Sequence, residues 1–165
     1  MKHYGFLDKL EKQIDEILKT KDRVLISVVG KGGTGKSFFG KYIKNYGCCK
    51  FSKRNIAVID DGVLWVDFLF FFRRTIKIKN AVFDELQPFL KKLSKRKKII
   101  FYINATPWER ISRADILLML STDENTRKKR LQQRYNSIET INKFLTAENI
   151  TDYKIKYTYL VKGEV

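Results

Sequence analysis

The chain has 165 residues, of which 44% are hydrophobic, and 34 Lys and Arg stand against 18 Asp and Glu for a net charge of +16. That length supports one well-buried core and is too short for two ordinary domains, so a single domain over residues 1–165 is expected. The cysteines, Cys48 and Cys49, are adjacent and the lone histidine is His3, which excludes an ordinary structural disulfide and a zinc centre.

Leu7, Leu10, Ile14, Ile17 and Leu18 recur at helical spacing between charged residues, predicting an amphipathic helix in the first twenty residues. Charges run throughout Met1 to Thr20, unlike a signal peptide. A strand is predicted at Val24 to Val29, followed directly by Gly30-Lys31-Gly32-Gly33-Thr34-Gly35-Lys36-Ser37. This segment matches the P-loop pattern G-x-x-x-x-G-K-[ST] in full. In that pattern the glycines let successive backbone N–H groups point at phosphate oxygens, and the positive end of the following helix adds to the attraction. Lys36 is then placed to reach the β/γ-phosphates and Ser37 to hold Mg²⁺. ATP and Mg²⁺ are therefore the expected ligands. Phe38, Phe39, Tyr42 and Ile43 continue as a helix.

A short apolar piece follows at Cys48 to Phe51, then a strand at Ile56 to Ile59 ending in Asp60-Asp61-Gly62. The run Val63 to Arg74 is long enough for a mostly buried helix. Its most apolar part, Val63 to Phe72, is about half the length of a bilayer span, with Asp67 in its middle, so no membrane partner is expected and the cytoplasm is the expected location. Thr75 to Ser94 has two readings. Val82, Phe83, Leu86, Phe89, Leu90 and Leu93 suit one helix face, but Pro88 would lie inside that helix at about 3 kcal/mol. Alternatively a strand through Asn80 to Phe83 ends at Asp84-Glu85 like a Walker B element, and a helix starts near Pro88. Further strands are predicted at 99–103, 116–120 and 157–161, with one long helix or two shorter ones between Asp123 and Leu145. Apolar strands alternating with helices indicate an α/β fold: a three-layer P-loop NTPase fold with a parallel sheet flanked by helices.

Phosphoryl transfer needs charge neutralisation and a carboxylate for the metal or for the acceptor proton. Asp60-Asp61 is the first choice for both tasks because ligands bind at the carboxyl ends of strands in open parallel sheets. Arg127, Arg130 and Arg134 fall at i, i+3 and i+7 of the late helix, where one face could clamp phosphates. The basic excess has two explanations, a solvated surface or attraction to a polyanion. No nucleic-acid motif accompanies it, and the charges are spread over several segments.

Together, the Walker A loop, Asp60-Asp61 after an early strand, and Arg127-x-x-Arg130-Leu131-x-x-Arg134 after a late one resemble the P-loop small-molecule kinases: nucleoside and nucleotide kinases, uridine kinase and adenylylsulfate kinase among them. The resemblance implies phosphate binding by Gly30 to Ser37, acid/base or metal work by Asp60 or Asp61, and lid contacts from Arg127, Arg130 and Arg134. It implies transfer of the γ-phosphate of ATP to a small-molecule acceptor. Two other likenesses lead to the alternative, an ATPase or switch acting on a macromolecular partner such as nucleic acid. Lys31 resembles the extra lysine of partitioning ATPases, which implies a homodimer. Asp84-Glu85 with Asn104 resembles the Walker B and sensor elements of AAA+ ATPases.

Overall fold

The computed structural model describes residues 5–60, 63–68, 72–77, 90, 93–146 and 154–165. Its centre is a seven-stranded sheet in which β1 (Val24–Val29) lies between β5 (Ile99–Ile103) and β6 (Ile116–Ser121). Beyond β5 comes β2 (Ile56–Asp60), and beyond β6 comes β7 (Tyr159–Glu164). These five strands are parallel. Their near-continuous apolar runs follow from burial on both faces: all five residues of β5 are buried, and every residue of β1 except Leu25. The sheet belongs to the α/β class.

One face carries α1 (Leu7–Leu18) and α2 (Lys36–Tyr46). Leu10, Ile14 and Ile17 of α1 and Phe39 and Ile43 of α2 join Val24, Ile26, Val28, Phe101 and Leu118 in one core cluster. Each fully buried aliphatic side chain of this kind contributes about 1.5–3 kcal/mol. Phe39 meets the Phe101 ring edge-on at 6.2 Å. Gly40 lets α2 approach the sheet, since a Cβ there would come within 2.3 Å of Ile103 Cδ1. On the opposite face Val29, Ile59, Ile100, Tyr102 and Leu117 pack under Ile111, Ala114 and Ile155, with Leu90, Leu93 and Trp108 alongside.

Two further helices, α3 (Glu124–Arg134) and α4 (Ile138–Thr146), follow β6 as a pair. Asp123 caps α3, its Oδ1 accepting from Thr126 N at 2.9 Å. Extended backbone at Tyr135 ends α3, and Ser137 Oγ accepts from Thr140 N in the first turn of α4. Asp123 to Leu145 thus forms two helices.

Two expectations need correction. Val63 to Arg74 is not a helix: β3 (Val63–Phe68) and β4 (Phe72–Lys77) form an antiparallel hairpin that joins β2 through the pair Asp60 and Val63. A run of β-branched and aromatic residues of this length accommodates two six-residue strands as readily as one helix, and its composition favours strands. The last strand also begins at Tyr159, two residues later than expected. Arg113 and Lys156 already pair in parallel before it, and the N–H groups of Thr158 and Tyr159 both donate to Asp115 O, so the chain enters the sheet through a bend. At Cys48 to Phe51 the apolar piece is a tight turn closed by Cys48 N to Phe51 O and Phe51 N to Cys48 O, with Cys49 at φ 54°. The proposed strand Asn80 to Phe83, with Asp84-Glu85, lies outside the described residues.

Candidate functional site

Four strands deliver their C-terminal ends to one side of the molecule. β1 runs into Gly30, β2 ends at Asp60, β5 runs into Asn104 and β6 into Asp123. Register keeps them level, because Val28 pairs with Ile103 and Ile103 with Asp60. Asn104 N also donates to Val28 O at 3.3 Å.

The glycine-rich loop turns from β1 into α2 at this level. Gly30 takes φ +145°, and a Cβ there would stand 2.3 Å from Leu120 O, so backbone contact with β6 admits no side chain. Gly33 and Gly35 are also at positive φ, 83° and 93°, and Gly35 precedes the first residue of α2. Inside the turn Thr34 Oγ1 donates to Lys31 O at 2.9 Å. Lys36 Nζ donates to Gly30 O at 2.6 Å and Lys31 O at 2.9 Å. The ammonium is thereby drawn across the loop by the loop's own carbonyls, beside the N-terminus of α2.

Facing this loop is a cavity of about 300 Å³. Gly32, Gly33, Gly35, Lys36 and Ser37 line it from the loop, Asp60 from β2, and Arg130 and Arg134 from α3. Walls whose residues stand 23 to 102 positions apart in sequence therefore converge on one volume, with cations on two sides and a carboxylate on a third. Arg130 reaches the loop mouth: its Nη1 donates to Val165 O at 3.4 Å and lies 3.2 Å from where a Gly35 Cβ would stand. The Arg134 guanidinium lies over the Tyr135 ring, 5.4 Å from its centroid. Ser37 is exposed at the head of α2, and Asp60 is half-buried.

Arg127 is placed differently from the other two arginines. It is 1% exposed, and its guanidinium donates to Glu124 Oε2, to Phe144 O at 3.0 Å, to Leu145 O at 3.2 Å and to Gly32 O at 3.4 Å. It ties α3, the end of α4 and the loop together from beneath, and it does not line the cavity with Arg130 and Arg134. Helical periodicity does not explain the split, since i and i+7 lie about 20° apart and i+3 and i+7 about 40°; Arg127 turns inward because the carbonyls of Phe144, Leu145 and Gly32 are within its reach. Asp61, like Asp84 and Glu85, lies outside the described residues. Lys31 contributes its carbonyl to the loop, as acceptor for Lys36 and Thr34.

Sequence patterns did not single out the apolar wall. Phe38, Leu131, Tyr135 and Phe144 also line the cavity. Phe144 sits on Gly32, where an added Cβ would be 2.6 Å from its ring, and stacks on Tyr135 at 5.2 Å and 19°. Tyr135 follows the arginine helix directly and was accessible to a closer look, whereas the place of Phe144 depends on how α4 folds back.

Comparison with protein-family models, curated proteins and solved structures finds no match. Among the described residues no cluster of three or more His, Cys, Asp or Glu side chains could hold a metal alone. The residues with side-chain oxygens that line the cavity are Ser37, Asp60 and Tyr135, of which the first two are the better ligands for a hard cation. A hard cation that keeps waters and phosphate oxygens in its shell suits so sparse a set, which is the habit of Mg²⁺. No helix among the described residues is long and apolar enough to cross a membrane.

Proposed function

We propose that this chain is an ATP-dependent phosphotransferase with a P-loop NTPase fold, moving the γ-phosphate of ATP to a small metabolite: a nucleoside, a nucleotide or another phosphate-bearing acceptor. The observation that carries it is the meeting of Lys36, Ser37, Asp60, Arg130 and Arg134 around one cavity. A bare phosphate-binding loop explains only the first two. A carboxylate and two guanidiniums on the other walls are what transfer chemistry adds.

In this mechanism the loop N–H groups and Lys36 bind the β- and γ-phosphates, the ammonium exchanging neutral loop carbonyls for phosphate oxygens. Ser37 and Asp60 would hold Mg²⁺, which supplies neutralisation of phosphate charge when bound. The acceptor oxygen forms a bond to the γ-phosphorus while the bond from that phosphorus to the β,γ-bridging oxygen breaks. The acceptor's proton passes to the Asp60-Asp61 pair, and ADP leaves. Arg130 and Arg134 stabilise the charge spread over the transferring group, and the aromatic wall of Tyr135 and Phe144 limits water's access.

The alternative, an ATPase or switch working on a macromolecule, gives Asn104 the task of sensing the γ-phosphate. Both ends of that amide are already engaged: Nδ2 donates to Tyr102 Oη at 2.7 Å and Oδ1 accepts from Thr106 N at 3.0 Å. Asn104 is 8% exposed, so freeing it would strand buried polar groups. This favours the phosphotransferase.

The test is ADP release from Mg-ATP across nucleosides, nucleotides and sugar nucleotides. Acceptor-dependent release is expected, and Asp60→Asn should reduce it by orders of magnitude while Mg-free nucleotide binding persists. Release that ignores every small acceptor and rises only with polynucleotide would replace this function with the alternative.

A further inference from the structure

Between Val24 and Ile59 the chain contains no Asp or Glu, while it carries Lys31, Lys36, Lys41, Lys44, Lys50, Lys53 and Arg54. The centre of this acid-free stretch is α2, and its outer side is aromatic. Phe38 is 65% and Tyr46 75% exposed, the two most exposed large apolar side chains of that helix. Tyr42 lies between them at four-residue spacing, half-buried, with its ring 5.1 Å from that of Tyr46. Lys41 and Asn45, three and seven residues after Phe38, are exposed beside it, whereas Lys44 is exposed on the flank away from Tyr42 and Tyr46. The Lys50 ammonium is paired with Asp15 and Glu11 of α1.

We propose that the outer face of α2 is a docking surface for single-stranded nucleic acid. Rings exposed to this degree are not explained by the core, and a patch of apolar rings with a lysine beside it is matched by a ligand with planar apolar faces and a negative backbone. The two exposed rings, Phe38 and Tyr46, are eight residues apart, about 12 Å along the axis at 1.5 Å rise per residue. That far exceeds the roughly 3.4 Å between stacked bases of a duplex strand, so the pair suits a single strand whose bases are unstacked, one on each exposed ring. Tyr42 holds Tyr46 against it, which limits the ordering needed on binding. The charge favours nucleic acid over an acidic peptide because carboxylate chains match the lysines but leave the rings uncovered. Phe38 also lines the cavity, so a strand lying along α2 has one end at its mouth.

The test uses the full chain and a fluorescent 20-mer of deoxythymidine, with polyglutamate and a duplex of equal length as competitors. Binding in low salt is expected, with the single strand preferred to both competitors. Tyr46→Ala should weaken it roughly 5- to 150-fold, the range for loss of one stacked base, without changing its salt slope. Lys41→Ala should reduce that slope by about 0.7, the value for one phosphate contact on a single strand. Melting curves of both variants should match the parent, because both positions are exposed. Absence of binding, equal competition by polyglutamate or duplex, or unchanged affinity in folded Tyr46→Ala would overturn the proposal. So would a parent dimer that Tyr46→Ala dissociates, since a second copy would then be what covers the face. None of these outcomes depends on phosphotransfer, so the two proposals stand or fall separately.

Discussion

Lys36 and Arg127 are both cations that bond loop carbonyls, yet their substitution should have different consequences. Lys36 is half-buried at a cavity wall, and Lys36→Ala removes a charge-assisted contact worth about 1.5–3 kcal/mol to a bound phosphate. ATP affinity measured by calorimetry should fall roughly 10- to 150-fold; unchanged affinity in folded protein would remove the phosphate-binding role. Arg127→Ala instead leaves the carbonyls of Gly32, Phe144 and Leu145 without their donor. A buried acceptor left unmade costs about 1–3 kcal/mol, and each kcal/mol lowers Tm by about 2–4 °C in a chain of this size. Arg127→Ala should therefore melt several degrees early, whereas Arg130→Ala should melt like the parent and lose kcat more than nucleotide affinity. If Arg127→Ala melted normally and lost only kcat, Arg127 would belong with the other two. The spacing of the three arginines was legible in the sequence; which of them turns inward was not, because that depends on where the end of α4 offers carbonyls. Ser27 is a smaller case. Its hydroxyl is buried in β1 with no hydrogen-bond partner among the described residues, so Ser27→Ala should leave stability unchanged or raise it by about 1 kcal/mol, as denaturant unfolding would register.

Elements divide into those that local pattern determines and those that tertiary pairing determines. Strands β1, β2, β5 and β6 were readable because burial on both faces leaves runs of Val, Ile and Leu bounded by polar residues. The N-terminus of α3 was readable because Asp123 precedes it at the capping position. The β3–β4 hairpin was not. Its twelve paired residues read equally as a helix, and the deciding partner, the edge of β2 at Asp60, lies elsewhere in the fold. The α3 cap makes a pH prediction. Hydrogen bonds from the Thr126 side chain and backbone hold the Asp123 carboxyl below its usual range. A lowered folded value means that the cap's contribution is full above the unfolded value, about 3.9, and is lost as pH falls through the folded one. The difference in Tm between the parent and Asp123→Ala should stay constant from pH 7 to 5 and narrow only below about pH 4. A difference that narrowed near neutrality would point to some other group.

For the whole molecule the net charge of +16 sets two salt effects of opposite sign. Like charges on a compact surface repel, so the folded state without ligand is opposed by its own field, and salt screens that field over a length of about 10 Å at 0.1 M. Raising NaCl from 20 to 300 mM should therefore raise Tm of the protein alone. On the proposed function ATP would add stability as RT ln(1 + [L]/Kd), about 2.7 kcal/mol at a concentration of 100 Kd. The part of that affinity that the proposal gives to Lys36, Arg130 and Arg134, which line the cavity, would be attraction to a polyanion, and the same salt would weaken it. The Tm increment caused by a fixed ATP concentration should consequently shrink over the range in which the unliganded Tm rises. Differential scanning fluorimetry with and without ATP separates the two trends in one experiment. Arg130→Ala with Arg134→Ala should flatten the second trend while leaving the first nearly intact, because two charges of thirty-four change the global field little but remove one wall of the cavity. An increment that ignored salt in the parent would mean that loop N–H groups and shape hold the nucleotide, and that the arginines of α3 face it without contributing to its binding.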